Sequence, residues 1–212
     1  QGHSLRMDAR RKKAEDAAAE KVQLTMEVGK LDDRIRMLTE MEKEYEGFSK
    51  AVKTVMQAAE KNTLRGIHGP VAGLMTTKKE YAVALEIALG AALQNIVVDR
   101  EEDAKTAIRF LQQRDGGRAT FLPLNAIRGD VLRENVAGEY GFVGVASELV
   151  RYDKQYDNIF KSLLGRTVVM EDMDSAIALA RKFRNGFRIV TLDGQVINRG
   201  GSMTGGSVSR SA

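Results

Sequence analysis

The 212-residue sequence contains no cysteine and no tryptophan, and only two prolines. Both a disulfide framework and a thiolate metal site are therefore excluded. No apolar run approaches the roughly 18 residues that a membrane-spanning helix needs, and no signal-peptide pattern is present. These absences favour a protein that folds around an ordinary hydrophobic core, and we expect a cytoplasmic location without membrane contact.

Charge is close to balanced along the chain. Residues 5–46 carry 10 Lys and Arg against 11 Asp and Glu, and residues 47–212 carry 23 against 18. The second part is therefore mildly basic, which is compatible with an anionic partner but does not require one. The first four residues, Gln1 to Ser4, resemble an expression-tag remnant and enter no prediction about the fold.

Residues that carry catalysis are scarce. Of the two histidines, His3 lies in the tag remnant and His68 in a glycine-rich stretch. The sequence has no HExxH, no GxSxG and no cluster of His, Asp and Glu. We therefore predict no catalytic residue, no metal site and no cofactor. An α/β enzyme acting on a small molecule is an alternative that would need a pocket with convergent polar groups.

Residues 5–47 differ in texture from the rest of the chain, because strong helix formers dominate them. Their apolar residues recur at the four- and three-residue spacing of a heptad seam. The seam consists of Leu24, Val28, Leu31, Ile35, Leu38 and, further on, Tyr45. A helix of this length would extend about 60 Å at 1.5 Å per residue, too far to be buried on a small domain. The pattern predicts a coiled-coil arm, and an amphipathic helix lying on its own domain is the alternative.

After Gly47 the chain predicts a compact fold with an internal duplication. One amphipathic helix is expected from Phe48 to about Lys61, with Val52, Val55, Met56 and Ala59 on its apolar face. Each copy then predicts helix, strand, helix and strand in the same order. The first copy places them at 81–91, 96–98, 104–113 and 118–122, and the second at 156–165, 167–169, 175–184 and 187–192.

The duplication predicts two related subdomains, at about 66–130 and about 140–206, facing each other across a pseudo-two-fold axis. Within each, the strand–helix–strand unit favours parallel pairing with a right-handed crossover. Beyond the second copy, Asp193-Gly194 predicts a hairpin of the type I′ kind.

The chain then reaches a glycine run, Gly200-Gly201-Ser202-Met203-Thr204-Gly205-Gly206. Such a run can bind phosphate, although the lysine of a Walker loop is missing. It can equally be a flexible linker, or a stretch where residues without a Cβ let another backbone pack closely.

A heptad arm followed by a duplicated domain and a closing glycine run resembles the hinge of bacterial SMC (structural maintenance of chromosomes) proteins. The resemblance covers about residues 48–208, and its most specific stretches are 117–124 and the glycine run. It implies a mixed α/β (α+β) fold, with two pseudo-symmetric subdomains preceded by a long coiled-coil helix. It also implies a homodimerisation hinge that joins two arms, whose far ends carry ATPase heads absent from this chain.

The resemblance further implies residues for two kinds of contact. The expected dimer contact comprises Gly200, Gly201, Gly205, Gly206, Met203, Arg118, Thr120 and Phe121. Weak, sequence-independent DNA contact is expected at Arg109, Arg114, Arg199 and Arg210. Residues 209–212 would begin a returning arm, and the parent protein would associate with the nucleoid. DNA binding as the main function is the alternative.

Overall fold

The computed structural model describes residues 2–44 and 47–208, with side chains for 4–32 and 47–208. The chain divides into two compact units: the arm segment, and a globular unit that begins at Ser49. The first contains a continuous 43-residue helix, α1 (Gly2–Glu44), which confirms the predicted long helix. The seam residues Leu24, Val28 and Leu31 are each more than half exposed. The remaining seam positions, Ile35, Leu38 and Tyr45, lie outside the described side chains.

The globular unit opens with α2 (Lys50–Glu60). Ser49 caps it, because its side-chain oxygen accepts a hydrogen bond from the Val52 N–H at 3.4 Å. Val52, Val55 and Met56 are buried as predicted. Ala59 is only half-buried, and Ala58 is buried instead.

The duplication is confirmed element by element. We call residues 67–123 the first half and residues 142–204 the second half. The first half contains β1 (Ile67–Pro70), β2 (Met75–Thr77), α3 (Ala82–Leu89), β3 (Ile96–Val98), α4 (Glu101–Gln113) and β4 (Phe121–Pro123). The second contains β5 (Phe142–Val145), β6 (Val150–Tyr152), α5 (Asp157–Leu164), β7 (Thr167–Met170), α6 (Met173–Lys182) and β8 (Arg188–Thr191), followed by β9 (Val196–Ile197) and β10 (Met203–Thr204).

The sheets repeat as well. β1 pairs antiparallel with β3, which pairs parallel with β4. In the same way β5 pairs antiparallel with β7, which pairs parallel with β8. The strand predicted at 118–122 is displaced and occupies Phe121–Pro123. Positive φ angles at Asp115 and Gly117 form the turn after α4, and pairing with β3 begins only at Phe121.

A ribbon of β2 and β6 joins the two halves. Met75 lies opposite Tyr152, Thr76 opposite Arg151, and Thr77 opposite Val150. The first residue of each strand therefore faces the last residue of the other, and the middle residues face each other. This register is self-complementary, as a two-fold axis through the ribbon requires.

The main hydrophobic core belongs to both halves together. Leu85 and Leu89 of α3 lie in one cluster with Ile159 and Phe160 of α5, all at most 6% exposed. A second cluster is confined to the second half and Val136, a residue of the linker 124–141. Because the larger cluster spans the ribbon, each half completes the other's core.

The linker 124–141 forms no helix or strand but is held on the second half. The Leu132 N–H donates to the Gly165 carbonyl at 2.8 Å, and the Gly129 N–H donates to the Asn158 side chain at 3.0 Å. Val136 is 3% exposed. The linker is therefore part of the packed structure.

The predicted hairpin forms between β8 and β9, but its turn is not of type I′. That type requires positive φ at both central residues, whereas Gly194 has φ +88° and Asp193 is not in the positive region. The Gly194 N–H closes a turn on the Thr191 carbonyl at 2.9 Å. Gly194 then supplies the left-handed residue of a bulged hairpin.

Candidate dimerisation surface

The glycine run builds the edge of a sheet. β10 is the outermost strand of the order β10-β9-β8-β7-β5. The Asn198 N–H donates to the Ser202 carbonyl at 2.7 Å, and Met203 lies opposite Ile197. Since antiparallel pairs alternate between bonded and non-bonded, the N–H and C=O of Met203 point away from β9. Met203 is 55% exposed, so this edge can receive another strand.

The glycines of the run are required by the conformation and packing of the chain itself. Gly200, Gly201 and Gly206 have φ of +90°, +103° and +138°, a region that side-chain-bearing residues rarely adopt. Gly205 has no such angle, but a Cβ there would lie 2.1 Å from the side-chain oxygen of Gln195. The run is therefore an ordered turn and strand, which contradicts the flexible-linker interpretation.

Gln195 fixes the end of the run through both ends of its amide. Its Oε1 accepts from the Gly206 N–H at 2.8 Å, and its Nε2 donates to the Gly206 carbonyl at 3.0 Å. At the other end the Gly200 N–H donates to the Asn185 carbonyl at 2.9 Å. Within the described residues no helix begins after the run, so the helix N-terminus of a phosphate site is not present there.

A second open edge lies on the first half. β4 ends the order β1-β3-β4. The Thr120 carbonyl and the Leu124 N–H form hydrogen bonds with β3 at 2.9 and 2.8 Å. The main-chain groups of Phe121 and Pro123 therefore point away from β3, towards the open edge. On the second half the equivalent edge of β8 is covered by β9. The repeat thus has a strand position that is filled on one half and open on the other.

The residues predicted for dimer contact fall on these two edges. Met203 and the glycines lie at β10, whereas Arg118, Thr120 and Phe121 lie at or just before β4. Arg118 and Thr120 are exposed and Phe121 is half-buried. The two groups belong to different sheets of the chain.

The residues predicted for DNA contact are scattered. Arg109 is exposed on α4, and the guanidinium of Arg114 lies 3.8 Å from the centroid of the Phe110 ring. Arg199 is exposed in the turn between β9 and β10. Arg210 lies outside the described residues. The first two belong to the first half and Arg199 to the second.

His68 holds a polar link between the halves that the sequence did not predict. Its Nδ1 lies 2.8 Å from the hydroxyl of Tyr156 in the second half, and its Nε2 lies 2.5 Å from Asp99. Burial raises the pKa of Tyr156, and the carboxylates of Asp153 and Asp99 add to the effect. Tyr156 is only 7% exposed, which favours a structural tie over a catalytic relay. A repeated tyrosine, Tyr81 and Tyr156, was the available signal.

The described residues contain no group of three or more His, Cys, Asp and Glu side chains placed to hold a metal ion. None of the helices they form is both long and apolar enough to cross a membrane.

Comparisons with known proteins identify the family of the chain. Residues 64–180 match the family model described as "SMC proteins Flexible Hinge Domain". The chain therefore belongs to the SMC hinge family. It is 46% identical over 178 residues to the chromosome partition protein Smc of Bacillus subtilis, a match that covers 82% of this chain and 15% of the relative. It thus spans about one seventh of that protein.

Solved structures place the fold in the same family. An asymmetric dimer of the Geobacillus stearothermophilus SMC hinge domain matches with a TM-score of 0.76 and 39% identity, over 96% of this chain and 84% of that one. The Pyrococcus furiosus SMC hinge domain matches with a TM-score of 0.65 and 32% identity, over 81% and 88%. The recognition of the family and the mixed α/β fold are thereby confirmed.

Proposed function

We propose that this chain is the homodimerisation hinge of a chromosome partition SMC protein. The observation that carries the proposal is the pair of open sheet edges, β10 on the second half and β4 on the first. A relative with the same fold is described as an asymmetric dimer of the hinge domain, which supports association of two copies but not their symmetry. In a two-fold pair, β10 of each copy meets β4 of the other, so the contact is made twice. Each meeting extends a sheet across the boundary through main-chain hydrogen bonds.

The glycines are poor positions for testing this contact, because replacing them would strain the chain itself. Met203 is a better one, since its N–H points outward and takes no part in pairing with β9. Met203→Pro removes that donor, and Met203→Ala is the matched control that keeps it. Two lost hydrogen bonds per dimer, at about 1 kcal/mol each, should weaken association roughly 30-fold.

Sedimentation equilibrium gives the dissociation constant of each variant, and circular dichroism checks that it is folded. An unchanged dissociation constant for Met203→Pro would remove β10 from the interface. Association through the arm is tested separately with Leu24→Glu and Leu31→Glu, which place charges on exposed seam positions. If these two substitutions alone abolish the dimer, the arm rather than the sheet edges holds the copies together.

We also propose weak, sequence-independent DNA contact through phosphates. The supporting observation is that Arg109, Arg114 and Arg199 are exposed and therefore accessible to a phosphate backbone. Replacing Arg109 and Arg114 with Gln should make the slope of log K against log salt concentration shallower by about 0.9 for each lost phosphate contact. Arg151→Gln, an exposed arginine on the β2–β6 ribbon, is the control. Equal salt slopes for the two variants contradict the assignment.

The wider setting belongs to the proposal as well. The parent protein would carry ATPase heads at the far ends of its arms, a returning arm would follow residue 208, and the assembly would act on DNA at the nucleoid in the cytoplasm. The hinge itself would perform no catalysis and need no cofactor. The exposed seam at Leu24, Val28 and Leu31 supports a second helix as the partner of α1.

A further inference from the structure

Met203 differs from the other methionines of the globular unit in its exposure to solvent. Four of the five methionines in this unit are buried or half-buried: Met56, Met75, Met170 and Met173. Met203 is 55% exposed. Because an oxidant must reach the sulfur to react with it, Met203 is the methionine of the globular unit that a dissolved oxidant attacks first.

The exposure of Met203 belongs to an ordered strand. On one side of it, the Asn198 N–H donates to the Ser202 carbonyl at 2.7 Å. On the other, the Gln195 amide bonds to both main-chain groups of Gly206, at 2.8 and 3.0 Å. The strand is therefore held on β9 at both ends, and Met203 projects from a fixed position at the edge of the sheet.

In the proposed dimer, a phenylalanine of the other copy lies opposite Met203. The N–H and C=O of Met203 point away from β9, and those of Phe121 point away from β3. Pro123, the other outward residue of β4, has no N–H. In an antiparallel meeting, residues that offer both groups pair with each other, which selects Phe121 within β4. Side chains directly opposite are close enough for a thioether to contact an aromatic ring.

We propose that Met203 is a site of reversible oxidation that controls whether two copies associate. Hydrogen peroxide transfers one oxygen atom to the sulfur, which loses two electrons as the S–O bond forms. The O–O bond of the peroxide breaks, and water leaves. Methionine sulfoxide is polar, so covering it with the Phe121 ring of the other copy costs free energy, and oxidation favours separate copies. The control of association rests on the proposed function, whereas the exposure of Met203 does not.

Association and oxidation oppose each other at this site. The contact that the sulfoxide weakens also covers the sulfur, so a paired copy reacts more slowly than a free one. Peroxide therefore acts on copies whose β10 edge is open and keeps that edge open. A methionine sulfoxide reductase reverses the change, because two thiols supply the two electrons and the oxygen leaves as water.

The test treats the whole chain with hydrogen peroxide and uses Met203→Leu as the matched control. Leucine keeps an apolar side chain and the main-chain N–H but has no sulfur. Sedimentation equilibrium gives the dissociation constant of each chain before and after treatment, and mass spectrometry of its peptides gives the sulfoxide fraction at each methionine. Treatment should weaken association of the unsubstituted chain at least about tenfold and change that of Met203→Leu less than about twofold. Both chains carry Met7 and Met26, which are exposed on the arm, so these do not explain a difference.

Complete oxidation of Met203 with an unchanged dissociation constant overturns the control of association. Equal weakening of the unsubstituted chain and Met203→Leu assigns the effect to another methionine and overturns it too. The rate of oxidation at Met203 should also fall several-fold when the protein concentration is raised from below to above the dissociation constant, and equal rates contradict the proposal.

The failure of the proposed function has a different signature. An untreated chain that does not associate overturns the dimer, and the control of association with it, while Met203 still oxidises faster than buried Met170. If Met203 oxidises no faster than Met170 at low protein concentration, the modification site itself is wrong, whatever the dimer does.

Discussion

Gly165→Ala should detach the linker from the second half. Gly165 has φ −66° and ψ −19°, angles that alanine adopts readily, so these angles give no reason for a glycine. The reason is close neighbours, since the new Cβ would lie 2.0 Å from the carbonyl oxygen of Asp130 in the linker and 2.4 Å from the carbonyl oxygen of Lys161 in α5. An ordinary contact needs more than 3 Å, so the linker must move by about 1 Å or more. Overpacking costs about 1–3 kcal/mol, and losing the Leu132–Gly165 hydrogen bond costs about 1 kcal/mol more.

We therefore expect a loss of about 2–4 kcal/mol in the free energy of unfolding. Gly138→Ala is the matched control, because Gly138 lies in the same linker, has no positive φ, and has nothing within 4 Å of its Cβ position. It should change stability by less than about 1 kcal/mol. Urea unfolding measures both, and hydrogen exchange at the Leu132 amide reports the linker directly. If Gly165→Ala matches Gly138→Ala and the Leu132 amide stays protected, the linker does not bear on Gly165 as described.

Three further predictions concern side-chain hydrogen bonds that stabilise the fold. Tyr156→Phe removes the hydroxyl that bonds to His68 and should cost about 1 kcal/mol in urea unfolding, whereas Tyr81→Phe at the equivalent position should cost little. Arg188 donates to the Ala88 carbonyl at 2.6 Å, so Arg188→Met leaves this carbonyl without its charged donor. We expect the free energy of urea unfolding to fall by about 2 kcal/mol. A decrease no larger than that of Arg181→Met, at an exposed arginine, would contradict this role. Hydrogen bonds from Lys161 and the Tyr152 hydroxyl hold the pKa of Asp157 below its usual range. The ionised Asp157 therefore stabilises the fold fully above about pH 4, and this stabilisation is lost as the pH falls through the lower folded-state pKa. Asp157→Asn should flatten this part of an acid titration followed by circular dichroism, and an unchanged slope would refute the role of Asp157.

The elements that sequence predicted well are those whose signal is local. β3 and β7 are short β-branched runs, Ile96-Val97-Val98 and Thr167-Val168-Val169, and both are fully buried strands. α6 spans Met173–Lys182, within two residues of the predicted 175–184, and the Asp172 side chain caps it by accepting from the Ser175 N–H at 2.8 Å. Patterns of a few neighbouring residues were sufficient for these elements.

The elements that sequence missed depend on distant partners. Met75-Thr76-Thr77 has no strand pattern of its own and becomes β2 only because β6 lies beside it. The linker has no periodicity, although Val136 is buried. The helix predicted at 81–91 ends at Leu89, and Ala91 beyond it is exposed. The residues that form these contacts are far apart in the sequence, so no short stretch of it contains both partners.

The sequence identified which residues belong to the candidate site but not why each of them is needed. The resemblance marked the glycine run for contact between copies, and that remains a prediction. The structure adds that Gly200, Gly201 and Gly206 are needed for backbone angles and Gly205 for the Gln195 side chain. A sequence alone does not distinguish a glycine required by its own backbone angles from one required by a partner, because both appear simply as glycine.

The self-complementary register of the β2–β6 ribbon has a consequence for the history of the fold. The equivalent middle residues of β2 and β6 face each other, and the first residue of each strand faces the last of the other, as in a contact between two identical subunits. The core beneath takes Leu85 from one half and Phe160 from the other. A half without its counterpart would expose this apolar surface to water, at about 25 cal/mol for each Å². If the repeat arose by duplication, the ancestral gene product was therefore already a symmetric pair, and fusion turned an association between chains into one within a chain.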